Sequence, residues 1–301
     1  MKVQFDHEFQ SSLFLYLDNH LLYNGQASGI KEGMNFAYYS ETSDVGSLGG
    51  VDLAAFYAPQ KQLVSDGIPS GDNKVYLSNS TTVPDGWYYQ NVDSDELLII
   101  DHYEGRIIMN PEHYGDPSLL GVSGDFATKD FNIYITNESE EQLFVENEFI
   151  LADDNETYYE SIRGLNLQRY VVPAVFISLN NTDNTPYGFG GEDDTREYPR
   201  IVCVADSNYG LDGVLSLGRD ISQQSFPQIP FADFPYGEFF HVKGNEYSYT
   251  GLKEENPSSN YAYIERSTTS KLYDRSSNKI PKNLRIGFID LEVSNIRYPR
   301  Q

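Results

Sequence analysis

Five histidines, one cysteine and 45 carboxylates are the residues with which this chain could do chemistry. A metal centre needs ligands at short, recurring spacings, and His7, His20, His102, His113 and His241 show no His-x-x-x-His or related pattern. Cys203 stands alone, which excludes an intrachain disulfide and a cysteine metal cluster. It sits in the apolar run Ile201-Val202-Cys203-Val204-Ala205 and reads as a small core residue. There is no Gly-x-Ser-x-Gly elbow to support a hydrolase serine. Gly188-Phe189-Gly190-Gly191 has the glycine density of a phosphate loop. Glu192-Asp193-Asp194 follows it, however, and would repel a phosphate, and no Gly-Lys-Ser/Thr completes the motif. It reads as a turn that needs glycine's conformational freedom.

Asp206 holds the most enzyme-like position, at the end of an apolar strand and before a helix. An adhesion-type metal site there needs Asp-x-Ser-x-Ser, and a phosphatase nucleophile needs Asp-x-Asp. The run is Asp206-Ser207-Asn208-Tyr209-Gly210 and fits neither, so Asp206 is expected to cap the helix. The acidic runs Glu192 to Asp194 and Asp153 to Glu156 lack the spacing of a dedicated calcium loop. No carboxylate pair is singled out for glycoside hydrolysis. The sequence therefore assigns no catalytic, cofactor-binding or metal-ligating residue.

The elements around these positions are mostly strands. Tyr170 to Ile177 and Ile201 to Ala205 are the most apolar segments, and Asn180 to Pro199 between them reads as a long polar loop. A helix is expected from about 207 to 221, with Val214, Leu217 and Ile221 on one face. Its Gly210, Gly213 and Gly218 each cost about 1 kcal/mol relative to Ala, which close packing would justify. Phe9, Leu13, Leu17 and Leu21 recur every fourth residue and predict an N-terminal amphipathic helix with Asp6 as N-cap and Gly25 as stop. Ser28 to Gly50 reads as loop, and Ala54 to Val64 as a short strand or helical turn. Lys74 to Leu77 and Trp87 to Tyr89 read as strands, as does Phe131 to Ile135. Leu97 to Ile100 and Arg106 to Met109 form a hairpin, and Leu143 to Ile150 returns the chain after a turn. Tyr247 to Tyr249, Tyr261 to Tyr263 and Asn283 to Ser294 are further strands. The fold class is α+β and β-rich, with mixed or antiparallel sheets. Three regions are expected, forming one intimate unit: the helix at 1–27, a hairpin-rich part at 28–160, and a strand–loop–strand–helix unit with C-terminal strands at 161–301.

The chain has 301 residues and a formal net charge of −24, with 21 basic residues. That balance argues against nucleic acid or an anionic membrane surface as partner, because phosphate binding needs clustered Lys and Arg. With 24 Tyr and 17 Phe, the chain carries more buriable aromatic area than disordered chains do. No apolar leader and no bilayer-length apolar stretch occur, so synthesis in a cytosol is expected. The sequons at Asn79, Asn137, Asn155 and Asn180 are read as chance.

The opening run Phe5-Asp6-His7-Glu8-Phe9-Gln10-Ser11-Ser12-Leu13-Phe14-Leu15-Tyr16-Leu17-Asp18-Asn19-His20-Leu21-Leu22 resembles virion structural proteins of tailed bacteriophages that infect marine bacteria. Similar islands are Lys129 to Tyr134 with Thr136-Asn137-Glu138, Val172 to Phe176, Phe189 to Asp193, Ala205 to Asp212, Gly287 to Asp290 and Arg297 to Arg300. The resemblance spans the chain from end to end. It implies a structural role in the particle, no enzymatic activity and no cofactor. The partners it implies are copies of the same chain in a ring and other virion proteins, with a location in the virion after synthesis in host cytoplasm. Helices packed on a sheet are similar to neck and tail-terminator proteins, a fold-level analogy. On that reading Phe189, Glu192, Asp193, Asp194 and Arg196 are the candidate interface residues, presented by the 180–199 segment. Two other classes fit the composition: a non-viral or tail-fibre-type carbohydrate-binding β-sandwich, and a carboxylate-dependent glycoside hydrolase.

Overall fold

Helix α1 (Phe5–Asn19), prolonged by a π-turn at His20–Asn24, buries Phe9, Leu13, Leu17 and Leu21, the stripe its four-residue period predicts. The computed structural model describes all residues except 1–4, 40–43, 49, 59–61, 67–73, 94, 152–168, 189, 238–239, 245–246, 257–259, 273–283 and 299–301. After α1 come β1 (Ser28–Tyr38), β2 (Asp44–Leu48), β3 (Val51–Tyr57), β4 (Lys74–Ser78), β5 (Gly86–Tyr89), β6 (Leu98–Asp101), β7 (Arg106–Met109), a single-turn helix α2 (Pro111–Tyr114) and β8 (Gly121–Lys129). These strands form one antiparallel sheet in the order β5-β4-β8-β1-β3-β7-β6, with β2 also on β3. One of its faces closes over Phe36, Phe56, Phe126 and Leu98.

The second half adds β9 (Asn132–Ile135), α3 (Glu140–Glu146), β10 (Glu148–Leu151), β11 (Arg169–Val172), β12 (Ala174–Tyr187), β13 (Glu192–Ala205) and α4 (Asn208–Asp220). It ends with β14 (Ser225–Pro227), α5 (Tyr249–Glu255), β15 (Tyr261–Lys271) and β16 (Arg285–Arg297). The six-stranded sheet β14-β15-β16-β13-β12-β9 is antiparallel except where β9 runs parallel to β12; β10 and β11 form a small parallel pair. Alternation along β13 sends Ile201, Cys203 and Ala205 to the face covered by α1 and α4, and Val202 and Val204 to the face covered by Leu143, Phe149 and Tyr170. The sheet is thus the middle of three layers near its core end. The α+β, β-rich class holds.

A polar junction joins the halves. Gln62 accepts from the Ile133 backbone N–H at 2.7 Å and donates to its carbonyl at 2.7 Å, fastening the first sheet to β9. Lys129 Nζ reaches Asp18 Oδ1 at 2.6 Å, with both side chains almost wholly buried. Asn19 Nδ2 donates to Asp66 Oδ2 at 2.8 Å, and the Tyr249 N–H donates to Asp66 Oδ1 at 3.0 Å. Asp66 is pushed above the usual carboxylate range by burial, against these hydrogen bonds. Helix α1 therefore serves both sheets.

Several local expectations are overturned. Ser28 to Gly50 is not loop but carries β1 and β2. Most of β1 is solvent-facing, so no apolar alternation marks it. Leu143 to Ile150 does not return as one strand. Ser139 and Gln142 close a capping box that starts α3, and only β10 is extended. Tyr249 opens a helix, capped by Ser248, where a strand was expected. Tyr170 to Ile177 is two strands, split at Pro173. The segment Asn180 to Pro199 is no loop: β12 and β13 stay paired out to Tyr187 and Glu192. Asp6 lies inside the first turn of α1, where its charge suits the helix dipole, so it is not the cap. Asp206 does not cap α4 either. Ser207 does, its Oγ accepting from the Gly210 N–H at 3.1 Å. Ser207→Ala is expected to cost about 1 kcal/mol and Asp206→Ala much less, checked by urea unfolding.

The glycines of α4 divide by use. A Cβ on Gly218 would stand 2.3 Å from Ile289 Cδ1, and one on Gly287 of β16 would stand 2.9 Å from Leu215 Cδ1. Helix and sheet meet there at backbone distance. Gly213 faces open space and has no such reason.

Candidate interface arm

The residues that the sequence placed in a loop form the distal part of a hairpin. β9 accompanies β12 only to Ile177, while the β12–β13 ladder continues from Thr182↔Glu197 to Tyr187↔Glu192. Gly188 and Gly191 turn it at φ +69° and +77°, a left-handed backbone that explains glycine at both positions. β16 follows β13 as far as Asp193↔Arg297. The arm is therefore a sheet extension.

Alternation divides the candidate residues between its two faces. Glu192, Asp194 and Arg196 share one face, and Asp193 lies on the other. Phe189 is outside the described residues. Arg196 collects Asp194 at 3.1 Å, Glu292 at 3.1 Å and Glu265 at 3.7 Å. Three carboxylates around one guanidinium leave this face acidic, and Tyr187, Tyr263 and Ile296 stand exposed on it. The Glu192 carboxylate accepts from the Tyr298 hydroxyl, which raises the tyrosine pKa. Nearer the core, Arg200 pairs with Glu140 at 2.8 Å and lies 4.6 Å over the Phe288 ring, where the covered part of this face begins.

The other face is closed at its base. Thr195, Glu197 and Asn295 are buried there. Thr195 Oγ1 donates to Asn184 Oδ1 at 2.7 Å and accepts from Arg297 Nε at 2.7 Å. The Arg297 guanidinium lies 4.2 Å over the Phe5 ring, so the arm base is clamped to the start of α1. Thr182 Oγ1 donates to Glu197 Oε2 at 2.5 Å. Burial, with Asp6 adding to it, pushes the Glu197 carboxyl up to about 7 against the Thr182 hydrogen bond and the Arg297 charge. A carboxyl whose folded pKa is raised favours the folded state at low pH and loses that contribution as pH rises through the folded value. Glu197→Gln is thus expected to match the parent melting temperature below pH 4.5 and to exceed it above pH 7, measured by scanning calorimetry across that range. Equal melting temperatures at both ends would refute this account of Glu197.

Sequence reasoning missed Thr182, Glu197, Glu265, Glu292 and Arg297. They come from four strands and meet only through sheet register. The alternation of apolar residues in β16, which was visible, is the one signal that could have placed Glu292 and Arg297 on opposite faces.

The remaining chemistry-bearing residues stand apart from the arm. His20 contacts the Leu217 carbonyl at 3.2 Å and Asn24 at 2.7 Å. His102 is buried beside Lys129 and His241, and burial with those charges holds its pKa down at about 3. Burial pushes the Cys203 thiol up to about 12. Asp101, buried and bound to Arg106 Nε at 2.8 Å, is nevertheless raised to about 6 by desolvation. Among the described residues no group of three or more His, Cys, Asp or Glu is arranged to hold a metal ion. Asp153 to Glu156 is outside the described residues. No helix among the described residues is long and apolar enough to cross a membrane. No family model matches the chain, and no curated protein matches it.

Proposed function

We propose that this chain is a structural protein of a tailed-phage virion, a ring-forming subunit of the neck or tail. On this reading it is made in the host cytoplasm and works by contact, without catalysis or cofactor. Its partners are copies of itself and neighbouring virion proteins. The observation that carries the reading is the arm: a hairpin clamped at its base to α1 and, among the described residues, open along one edge beyond Ile177 and bare on one face where Tyr187, Tyr263 and Ile296 stand exposed. Aromatic and aliphatic side chains held on a rigid extension suit burial against another protein. The net charge of −24 suits a ring through which DNA passes without sticking, provided that acidic residues line the channel.

Native mass spectrometry with negative-stain microscopy tests this. A closed ring of many copies is expected, and a strict monomer up to high concentration would count against the reading. The arm has its own test. Asp183 and Arg196 are cross-strand partners, so Asn184–Thr195 can be replaced by Asn-Gly, the natural two-residue hairpin turn. Unchanged circular dichroism with loss of assembly is expected. Global unfolding would show that the arm belongs to the core instead.

A further inference from the structure

Two edges of the six-stranded sheet end without a strand neighbour among the described residues. β9 ends at Ile135, opposite Ile177, so Asn180–Tyr187 of β12 is paired on one side alone, to β13. A bulge between Leu179 and Thr182 bends the strand where β9 stops. On the far side, β14 covers β15 only over Tyr261–Tyr263, so Arg266–Lys271 is paired only to β16. Unpaired backbone N–H and C=O groups along an edge are a template for a further strand. Pro186 has no N–H to give, which confines pairing on β12 to Asn180–Thr185, as long as Arg266–Lys271.

Direction and charge select the partner. β12, β13, β16 and β15 are each antiparallel to the next, so β12 and β15 run in opposite senses. A second copy in the same orientation would set its β15 antiparallel to the first copy's β12. The β12 edge carries one charge, Asp183. The β15 edge carries two cations, Arg266 and Lys271, and no carboxylate. Lys271 also meets Asp212 of α4, and Arg219 stands beside the same cleft of about 490 Å³. Pairing β12 with β12, or β15 with β15, would bring like charges together across the seam, which destabilises a strand pair; pairing β12 with β15 brings opposite charges together.

We propose that β15 of a second copy occupies the β12 edge, so that the six-stranded sheets of successive copies join head to tail. Such a contact is heterologous and closes into a ring when its rotation allows. The inference rests on the ring-forming reading above and names the surfaces that would build the ring.

Disulfide trapping tests it, because the single native cysteine, Cys203, is fully buried and silent. Asp183→Cys and Thr268→Cys are made separately at exposed positions. Mixing the two under mild oxidation is expected to give a disulfide-linked heterodimer on a non-reducing gel, while each alone gives little homodimer. A chain carrying both substitutions should give a ladder of covalent multimers. Asp183→Lys should abolish the wild-type assembly, and Arg266→Asp in the same chain should restore it. Homodimers exceeding the heterodimer would overturn the proposal in favour of a two-fold contact. Closed rings that persist in Asp183→Lys, with no trapped heterodimer, would overturn it and leave the ring-forming reading standing. A wild-type monomer with no trapped species would remove both.

Discussion

Replacing Lys129 by methionine is expected to lower stability by about 3–5 kcal/mol, the cost of leaving one partner of a buried ion pair without the other. The geometry makes this site a severe case. Nζ and Oδ1 are 2.6 Å apart, and the lysine and aspartate side chains are 4% and 1% exposed. The second oxygen of Asp18 has no hydrogen-bond partner among the described residues, so Lys129 is the principal compensation for that carboxylate. Methionine keeps the packing over the Phe14 ring, which the ammonium approaches at 5.9 Å, and removes only the charge. The double variant Lys129→Met/Asp18→Leu should recover most of the stability, because an apolar pair often replaces a buried ion pair without loss. Urea unfolding of the parent, the single variant and the double variant decides it. A single variant within about 1 kcal/mol of the parent would mean that water reaches Asp18.

The second large effect is expected at Phe226. This ring is fully buried on β14 and lies between two side chains of α1, with centroids 5.9 Å from Phe9 and 5.1 Å from Tyr16, the latter stacked. Phe226→Ala removes the wedge that seats α1 against the edge of the six-stranded sheet, at a cost of about 3–5 kcal/mol. Relaxation of α1 into the space would bring the loss to the low end. Because Ser12 Oγ also accepts from the Ile229 N–H at 2.8 Å, the helix stays attached and the variant should still fold. Hydrogen exchange then shows where the loss falls. Amides of α1 should gain exchange while those of β6 and β7 in the first sheet keep their protection. Uniform loss over both sheets would mean that the two halves unfold as one.

How far the sequence reached depended on whether an element has one buried face. Phe9, Leu13, Leu17 and Leu21 announced α1 because the helix turns a single stripe inward. The hairpin at 97–109 was legible from two apolar runs around His102 to Gly105. The outer part of β12 was not, since Asn180, Asn181, Asp183 and Asn184 meet solvent and no period-2 contrast arises where neither face is a core. β1 was hidden for the same reason. Short helices were lost to a different cause. α3 begins at a Ser139–Gln142 capping box that local inspection could have found, whereas α5 is held by Asp66, far away in the chain. At the arm, Glu192, Asp193, Asp194 and Arg196 were visible as a charged run. Their division between two faces, and the buried state of Glu197, follow from pairing with β16 and from the position of α1.

The seating of α1 also sets a schedule for the chain as it is made. The contacts of α1 and its π-turn reach Ile177, Leu217, Phe226 and Ile229, so this helix leaves the ribosome well before the residues that seat it. At ordinary translation rates roughly 200 residues take about 10–40 s to follow it. For that time an apolar stripe of Phe9, Leu13, Phe14 and Leu17 lacks the six-stranded sheet that covers it. Burial of that stripe therefore waits on the synthesis of β14, whose Phe226 packs against it.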